Sequence, residues 1–359
     1  MFTRLHLENF LSFKGPMDIP LRPLNVVVGP NNSGKSNLLA ALRLLSFASK
    51  GNAEGVLGRR LDEMFCRNSP RHWFVIGIDA EDSSQQSVPW KSCQYRLTVG
   101  GGAFQPLFHG VDKAGRIDEQ RRKDNPAIAE EIEKKELQPK FCEYLNGIRF
   151  FHFNPSALRA PAQVTPKPSL QEDGKGLAAV VDHLKDEFPD IYDEIQDEFR
   201  HCVPEVERIQ LRVTANGHKT ILLKERGFKE SFGAEEISEG LLLFLALLCC
   251  IHTQPKPSMI LLEEPEHGIH PRRLKDLLEL LYSLTESKGD EPPVQILLTT
   301  HSPYLLDQFR DDLDALLVLE RGEEGTIVKS ARQHVDTIHK TGISVGEAWY
   351  SGILGGVPA

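Results

Sequence analysis

The sequence predicts an α/β fold with a mostly parallel core sheet, an N-terminal antiparallel β portion and an inserted region of helices and strands. Apolar runs of strand length alternate with amphipathic segments of helix length towards both ends of the chain, which is typical of a parallel sheet covered by helices. A more polar middle region of about 150 residues separates these two parts. With 359 residues and 40% hydrophobic content, the chain is long enough to bury a full core.

The N-terminal part contains two strand patterns followed by a helix pattern. "TRLHLENF" alternates apolar and polar residues like a half-buried strand, and "LNVVVG" is a β-branched run that ends at a glycine. "SNLLAALRLLSFAS" then places leucine and alanine at helical spacing. We therefore expect a strand, a loop and a helix in this order, with further strands at 72–79, 92–99 and 148–153.

The middle region predicts short helices and a hairpin. "DEQRRKDNPAIAEEIEKKELQPKF" is highly charged, has no sustained heptad pattern and is interrupted by Pro126, so we expect a short helical excursion and no long coiled coil. "GKGLAAVVDHLKDEFPDIYDEIQDEFRHCVPEV" predicts two amphipathic helices divided by Pro189. "RIQLRVTA" and "KTILLKE" flank Asn216 and Gly217, which indicates a β-hairpin.

The C-terminal part returns to an alternation of helices and strands. Such an alternation predicts a mostly parallel sheet with helices packed on it. The expected order is helix 238–252, strand 258–263, helix 271–286, strand 294–299, a helix from 302 and strand 314–319. We divide the chain into an N-terminal lobe at 1–80, an insertion with second-lobe elements at 81–235, and a C-terminal lobe at 236–359.

The apolar runs, the N-terminal pattern and the cysteines indicate the compartment in which the protein is located. The longest apolar run, Leu241–Ile251, has about eleven residues and is well below the roughly 20 that a membrane-spanning helix needs. The N-terminus lacks the pattern of an export signal, so we expect a cytoplasmic protein with no membrane partner. The six cysteines form no CxxC pair, which favours reduced thiols over a zinc site or a disulfide framework.

The net charge of −9 disfavours strong non-specific binding to nucleic acid. A local basic groove would still allow DNA contact. Basic clusters at 58–60, 121–123 and 219–229 are candidates for such a groove, although clusters of this kind are more often a solvated face.

A glycine-rich loop carries the strongest chemical signal. Gly29, Gly34, Lys35 and Ser36 satisfy GxxxxGK[ST], with a predicted strand before the motif and a helix after it. The glycines let backbone N–H groups face a phosphate chain, Lys35 reaches the β and γ phosphates, and the Ser36 hydroxyl binds magnesium. The alternative is a tight turn with a salt-bridged lysine.

A pair of carboxylates forms the second candidate site. In "SMILLEEPEHGIHP", Glu263 and Glu264 follow four apolar residues at the carboxyl end of a predicted strand, where ligands bind in open parallel sheets. Glu263 is suited to holding Mg²⁺, and Glu264 to orienting and deprotonating the attacking water. Two alternatives are a pair of exposed strand-end acids, or a transition-metal cluster formed by Glu263, Glu264, Glu266, His267 and His270.

Two further motifs contribute candidate residues. "QILLTTHSPYLLD" puts His301 just past another buried strand, where its imidazole could donate to a γ phosphate. In "ISEGLLLFLALL", Ser238 and Gly240 stand at the start of a helix, with Ser238 as the expected N-cap. Taken as an isolated cap, this second motif carries no functional assignment.

Together, GPNNSGKSN, SEG, LLEEPEHGIHP and TTHSP resemble the motifs of ABC-type ATPases of the SMC, RecF and OLD (overcoming-lysogenization-defect) group. The resemblance extends to the opening "LENFLSFKGPMDIPLRPLNVVVGPNNSGKSN" and to the middle segment "GLAAVVDHL". The C-terminal "SVGEAWYSGILGGVP" is similar to that of compact AAA15 or AAA_21 ATPases. The resemblance implies the head fold of a P-loop ABC-type ATPase.

The resemblance also implies how the site works. ATP with Mg²⁺ would lie between the phosphate loop of one subunit and the signature of a second, so that the protein forms a homodimer. Lys35, Glu264 and His301 would be catalytic, and Ser36 and Glu263 would hold the metal. The signature in trans would be Ser238, Glu239 and Gly240, and the nucleotide-binding residues would be Gly29, Pro30, Asn31, Asn32, Ser33, Gly34, Lys35, Ser36 and Asn37.

The expected role is the coupling of nucleotide state to DNA repair or phage defence, through a separate nuclease or other effector protein. Glu263 replaces the usual Walker B aspartate, and Gln105 is the candidate for the Q-loop glutamine. The middle insertion is too short for the coiled-coil arm of SMC proteins. "DDLD" at 311–314 supplies a DxD pattern, but the roughly 45 residues after it are too few for a Toprim nuclease domain, so we expect no nuclease activity.

Two other functions remain open. A nucleotide-bound scaffold with low turnover would assemble or restrain an effector. The motor subunit of an ABC transporter is less favoured because of the NNSGKSN loop, the SEG signature in place of LSGGQ, and the insertion between loop and signature.

Overall fold

The computed structural model divides the chain into two compact units that alternate along the sequence. Unit 1 comprises Met1–Arg149, Ser258–Leu261 and Thr285–Ala359, and unit 2 comprises Phe150–Pro257 and Leu262–Leu284. The structure describes residues 1–50, 64–66, 69, 71–82, 88–100, 103–113, 126–252, 255–286 and 293–357.

The predicted strands and helices occur in the predicted order with boundaries that differ by a few residues, and further strands and helices lie between them. The strands are β1 Phe2–Glu8, β2 Met17–Pro20, β3 Leu24–Val28, β4 Trp73–Glu81, β5 Trp90–Gly100, β6 Ala103–Asp112, β7 Ile148–Phe151, β8 Val206–Val213, β9 Lys219–Glu225, β10 Phe232–Gly233, β11 Met259–Glu263, β12 Gln295–Thr300, β13 Leu316–Gly322 and β14 Gly325–Ser330. The helices are α1 Lys35–Ser49, α2 Pro126–Ile132, α3 Gln138–Asn146, α4 Pro155–Arg159, α5 Leu177–Glu187, α6 Pro189–Cys202, α7 Glu239–His252, α8 Leu274–Thr285, α9 Pro303–Asp307, α10 Val335–Thr341 and α11 Val345–Tyr350.

The N-terminal antiparallel portion is a five-stranded sheet in the order β2-β1-β4-β5-β6. Strand β6 was missed by the sequence prediction because Pro106 and Gly110 count against a strand. It forms at the edge of the sheet, where a proline is tolerated, and pairs with β5 along most of its length. Tertiary pairing therefore overrides the local preference of this segment.

An aromatic cluster holds α3 to this sheet. Phe141 is fully buried, and its ring centroid lies 5.5 Å from that of Trp90, 5.5 Å from that of Phe108 and 6.4 Å from that of Phe2. A π-helical turn, Glu133–Leu137, joins α2 to α3, so the predicted helical excursion is present over 126–146. Residues 118–125 of that prediction lie outside the described part of the chain.

The core sheet has six strands in the order β14-β13-β3-β12-β11-β7. Strands β12 and β13 pair with β3 in parallel, one on each side, whereas β13 and β14 form an antiparallel hairpin. Every residue of β3 and β12 is buried, in agreement with the apolar runs Val26–Val28 and Ile296–Leu298 that they contain. The predicted α/β class with a mostly parallel core sheet is therefore confirmed.

Unit 2 contains mainly helices and a small antiparallel sheet in the order β10-β9-β8. The predicted hairpin joins β8 to β9, and Gly217 adopts a φ of 78° in its turn. The two amphipathic helices predicted on either side of Pro189 are α5 and α6. Helix α7 is a core helix in which Leu242–Ile251 are all buried.

Within the described residues, no helix combines the length and apolarity that crossing a bilayer requires. All six cysteines are free thiols. Burial raises the pKa of Cys249 to about 12 and that of Cys202 to about 11, so both thiols are protonated at neutral pH.

Of the three basic clusters, 58–60 and 121–123 lie outside the described residues. In the third cluster, Lys219 pairs with Asp182 at 2.7 Å. Lys224 donates to the backbone carbonyls of Phe228 and Lys229. Two cations of this cluster therefore support the local fold of unit 2.

The aromatic cluster leads to a stability prediction. Phe141→Ala should lower the free energy of unfolding of unit 1 by about 3–5 kcal/mol, because it removes a buried ring and leaves a cavity. All three tryptophans lie in unit 1, so urea denaturation followed by tryptophan fluorescence reports on this unit. Phe228→Ala is the matched control, since Phe228 is 55% exposed and lies in unit 2. A loss below about 1 kcal/mol for Phe141→Ala would contradict this account of the core.

Candidate functional site

The glycine-rich loop, Gly29–Ser36, joins the end of β3 to the start of α1 in unit 1. We refer to this segment as the phosphate loop. Strand β3 is buried throughout, and α1 buries Leu38, Leu42 and Leu45 among other residues, so both ends of the loop are fixed to the core. Within the loop, the N–H of Ser33 donates to the carbonyl of Pro30 at 3.2 Å.

Both glycines of the motif are required by the backbone geometry. A Cβ on Gly29 would lie 2.3 Å from the carbonyl oxygen of Leu319, so no larger residue fits there. Gly34 has a φ of 110°, and a Cβ there would lie 2.5 Å from the Oγ1 of Thr326. The loop is therefore pressed against β13 and β14, the neighbouring hairpin of the core sheet.

Lys35 is buried and lies over its own loop. Its Nζ donates to the carbonyl of Gly29 at 2.8 Å and to that of Pro30 at 3.0 Å, and the residue is 7% exposed. The side chains of Asn31, Asn32 and Ser36 are exposed to solvent. The positive charge of Lys35 is thus held at the loop itself.

The residues of the loop fit a bound polyphosphate. Helix α1 has 15 residues, no acidic residue in its first turn, and no side-chain hydrogen bond at its N-cap, Gly34. Its N-terminal N–H groups and the positive end of its dipole are therefore directed at the loop, which is the usual arrangement for binding phosphate. Ser36 supplies an exposed hydroxyl at the first turn, as Mg²⁺ coordination requires.

His301 lies at the end of the strand beside the loop. Strands β3 and β12 run in parallel, and Val28, the last residue of β3, pairs with Thr300, the last residue of β12. Gly29 and His301 therefore follow neighbouring strand ends at the same edge of the sheet. Within unit 1 the structure brings together these two predicted parts of the site.

Glu263 is the last residue of β11 and Glu264 follows it directly, and each of these carboxylates has a histidine partner in unit 2. The Nδ1 of His152 lies 3.5 Å from the Oε2 of Glu263, and the Nδ1 of His267 lies 3.3 Å from the Oε2 of Glu264. Glu264 has a φ of 49°, a left-handed conformation that is uncommon outside glycine and is often retained at functional sites. The backbone therefore sets the direction of the Glu264 side chain.

His152 was not singled out from the sequence. It follows the last residue of β7, as Glu264 follows β11, and the two strands are neighbours in the sheet order. The predicted strand at 148–153 extended past His152, whereas β7 ends at Phe151 and leaves His152 at a carboxyl end, where ligand-binding residues lie in parallel sheets.

A cavity of about 360 Å³ in unit 2 brings the acids together with the signature. Its polar lining includes Glu239, Glu263 and Glu264, together with His152 and His267. Glu239, the middle residue of the signature, is also 3.4 Å from the Nη1 of Arg159. Arg159 was another residue that the sequence did not indicate.

The start of α7 contacts the turn that follows the acids. A Cβ on Gly240 would lie 2.8 Å from the carbonyl oxygen of Gly268, so the signature glycine permits a close backbone approach. Ser238 occupies the N-cap position, where its carbonyl accepts the N–H groups of Leu241 and Leu242. Ser238 and Glu239 are exposed to solvent.

The transition-metal alternative receives no support. His270 caps a short 3-10 helix, where its Nδ1 accepts from the N–H of Arg272 at 3.2 Å. Across the residues described above, no group of three or more histidine, cysteine or acidic side chains is arranged to hold a metal ion.

Two other candidates from the sequence lie elsewhere. Two aspartates of the "DDLD" pattern form ion pairs with Arg22, which lies 3.4 Å from Asp312 and 3.5 Å from Asp314. Gln105 lies in β6 opposite Thr98, with its side chain exposed.

Comparison with protein families agrees with this geometry. A model described as "AAA ATPase domain" matches residues 1–82. A model described as "AAA domain, putative AbiEii toxin, Type IV TA system" matches residues 109–307, more than half of the chain. The chain belongs to this AAA family. It is an ATPase of the SMC/RecF/OLD-like group, as the motifs predicted.

Two curated relatives align with most of this AAA ATPase. An "ATP/GTP phosphatase" of Helicobacter pylori is 20% identical, and the alignment covers 86% of this chain and 87% of the relative. An "OLD nuclease" of Thermus scotoductus is 22% identical over 92% of this chain. The chain spans only 64% of the length of that nuclease.

The fold of the AAA ATPase is that of an SMC head. A crystal structure of the Smc head bound to the C-terminal winged-helix domain of ScpA matches with a TM-score of 0.63 and 15% identity, and the match covers 97% of this chain and 99% of that one. At this level of identity the similarity concerns the fold alone.

The buried lysine of the phosphate loop leads to a binding prediction. Lys35→Ala should weaken ATP binding by about thirty-fold or more, because it removes a charge-assisted hydrogen bond to phosphate. Isothermal titration calorimetry measures the affinity directly. Lys50→Ala is the control, since Lys50 follows the end of α1 and places its Nζ over the ring of Phe47. An affinity of Lys35→Ala equal to that of the control would contradict binding at this loop.

Proposed function

We propose that this AAA ATPase binds ATP with Mg²⁺ at the phosphate loop and hydrolyses it with Glu264 as the general base. The observation that carries the proposal is the uncapped N-terminus of α1 directly after the loop, with His301 at the neighbouring strand end. The loop supplies phosphate binding, and the strand-end residues supply the chemistry.

Each residue has a role that follows from its chemistry. Backbone N–H groups of Gly34–Ser36 hold the phosphates. The Nζ of Lys35 donates to β and γ phosphate oxygens in place of the carbonyls of Gly29 and Pro30. Ser36 and Glu263 would hold Mg²⁺, and the ion would neutralise charge at the phosphates. Glu264 accepts the proton of the attacking water, and His301 donates a hydrogen bond to the γ phosphate.

We further propose that the complete site needs a second copy of the chain. Ser238 and Glu239 are exposed at the N-terminus of α7, a helix of 14 residues, and such an end attracts a phosphate. In a homodimer, Ser238–Gly240 of one copy would contact the ATP bound by the other. ATP binding would then close the dimer, and hydrolysis would open it.

The cellular role we propose is the control of an effector in DNA repair or phage defence, with DNA as a further candidate partner. The similarity to an OLD nuclease over 92% of this chain supports this role. In this proposal the ATPase acts on a nuclease or another effector protein. A nuclease gene next to the gene of this protein would support defence, and a membrane-protein gene there would favour transport.

A low-turnover scaffold is the second candidate. The observation in its favour is the 3.3 Å contact between His267 and Glu264, which engages the carboxylate that the hydrolytic mechanism needs as a base. In this version ATP binding alone would assemble the effector. The two candidates differ in the turnover of the wild-type protein.

Replacement of the general base separates the two candidates. Glu264→Gln should lower kcat for ATP hydrolysis by about 100-fold or more while ATP binding persists, because the amide accepts no proton. With ATP and Mg²⁺ this variant should elute as a dimer in sizing chromatography, and without ATP as a monomer. Phosphate release and elution volume are the two measurements.

Glu279→Gln is the control, because Glu279 lies on an exposed part of α8 beside Lys275. It should hydrolyse ATP like the wild type. Absence of hydrolysis by the wild type, even with DNA added, would favour the scaffold. An elution volume of Glu264→Gln that does not change with ATP would argue against the dimer.

A further inference from the structure

A chain of hydrogen bonds connects the first turn of α1 to the phosphate loop through two residues outside both. The Nδ2 of Asn37 donates to the Oγ of Ser12 at 2.9 Å. The hydroxyl oxygens of Ser12 and Thr326 are 2.7 Å apart, and the Oγ1 of Thr326 lies 2.8 Å from the carbonyl oxygen of Ser33. Ser12 and Thr326 are 314 residues apart in the sequence.

The direction of each bond follows from the groups involved. The carbonyl of Ser33 only accepts, so Thr326 donates its single hydroxyl proton to it. Thr326 then accepts from the hydroxyl of Ser12, which itself accepts from the amide of Asn37. Every member has a matching partner, so the chain is fully satisfied, and such chains strengthen cooperatively.

The backbone around this chain leaves little freedom for rearrangement. The N–H of Thr326 donates to the carbonyl of Ser12 at 2.8 Å, which fixes the two hydroxyl residues relative to each other. A Cβ on Gly34 would lie 2.5 Å from the Oγ1 of Thr326 and 2.8 Å from the Oγ of Ser12. The two hydroxyls therefore fill the space that a side chain at Gly34 would occupy. Thr326 is 5% exposed, so solvent does not replace these bonds.

We propose that Ser12 and Thr326 are positioning residues of the phosphate loop. A trans peptide unit is planar, so its C=O and the following N–H point in opposite directions. Holding the carbonyl of Ser33 towards Thr326 directs the N–H of Gly34 away from Thr326, to the side where the loop receives phosphate. The segment between β1 and β2, which contains Ser12, and the β13–β14 hairpin thus set the orientation of a phosphate-binding N–H before ATP binds.

This function is distinct from support of the fold. A loop that is ordered in advance pays no ordering cost on binding, so loss of the chain should weaken nucleotide affinity and leave the chemical step intact. The inference rests on nucleotide binding at the phosphate loop. It is independent of dimerisation and of the identity of the general base.

The test compares substitutions that remove or retain one hydroxyl. Thr326→Val should raise Kd and KM for ATP about tenfold, because the buried carbonyl of Ser33 loses its donor while the side chain keeps its shape. The kcat at saturating ATP should stay within about twofold of the wild type. Thr326→Ser keeps the hydroxyl and should restore Kd to within about twofold of the wild type. Calorimetry with ATP and Mg²⁺ measures Kd, and steady-state phosphate release gives KM and kcat.

Thr220→Val is the matched control, because Thr220 is 7% exposed and lies in β9 of unit 2. It should leave Kd for ATP unchanged, whatever it does to the melting temperature. A fall in the melting temperature of Thr326→Val with Kd unchanged would overturn the proposal and leave Thr326 a structural residue. Equal loss of affinity in Thr326→Ser and Thr326→Val would also overturn it, since the hydroxyl would then be irrelevant.

Ser12→Ala provides a second test that leaves the sequence of β14 unchanged. If Thr326→Val does not fold, this variant tests whether the hydrogen-bond chain affects ATP affinity. Thr326 keeps its bond to Ser33 in this variant but loses its own donor, so Kd for ATP should rise about threefold. A wild-type Kd in Ser12→Ala would count against the proposal. Failure of the wild-type protein to bind ATP would overturn this inference and the proposed function together, whereas normal binding without hydrolysis would overturn only the latter.

Discussion

The parallel pairing of β3 with β12 and β13 is the constraint on which the rest of unit 1 depends. Because β3 is hydrogen-bonded on both sides and buried along its whole length, its end is a fixed point in the core. The phosphate loop begins at that point and returns to the core through α1. The same pairing places His301 one strand away and Leu319 beneath Gly29. The phosphate loop is therefore flanked by strands of the core sheet.

Unit 2 is organised around a close approach of two backbones. Gly240 in the first turn of α7 meets the carbonyl of Gly268 in the turn after the acidic pair, and only glycine permits this distance. The contact brings Glu239 to the cavity that Glu263 and Glu264 also line. Residues that the sequence placed in separate motifs thereby share one small volume. Histidine partners on both acids add polar groups that a strand-end pattern alone does not predict.

The sequence predicted the elements with a strong side-chain period and did not predict some strands that form only by pairing with a neighbour. Segments with a strong period, such as α5, α6 and the buried strands β3 and β12, were predicted within a few residues, because side-chain spacing is a local property. Strand β6 was missed because its proline and glycine mask a segment that forms only by pairing with β5. Strand β14 was also not predicted; it follows β13 after a turn of two residues and pairs with it antiparallel.

The sequence by itself determined the class of the fold, the phosphate loop, the acidic pair and the family of the protein, since each depends on residues that are close together in the chain. Only the tertiary structure decided which distant residues meet. His152 reaches Glu263, Arg159 reaches Glu239, and Thr326 reaches Ser33 across almost the whole chain. Those contacts depend on strand order and helix placement. Strand order is set by the burial of the whole core, which no local pattern records.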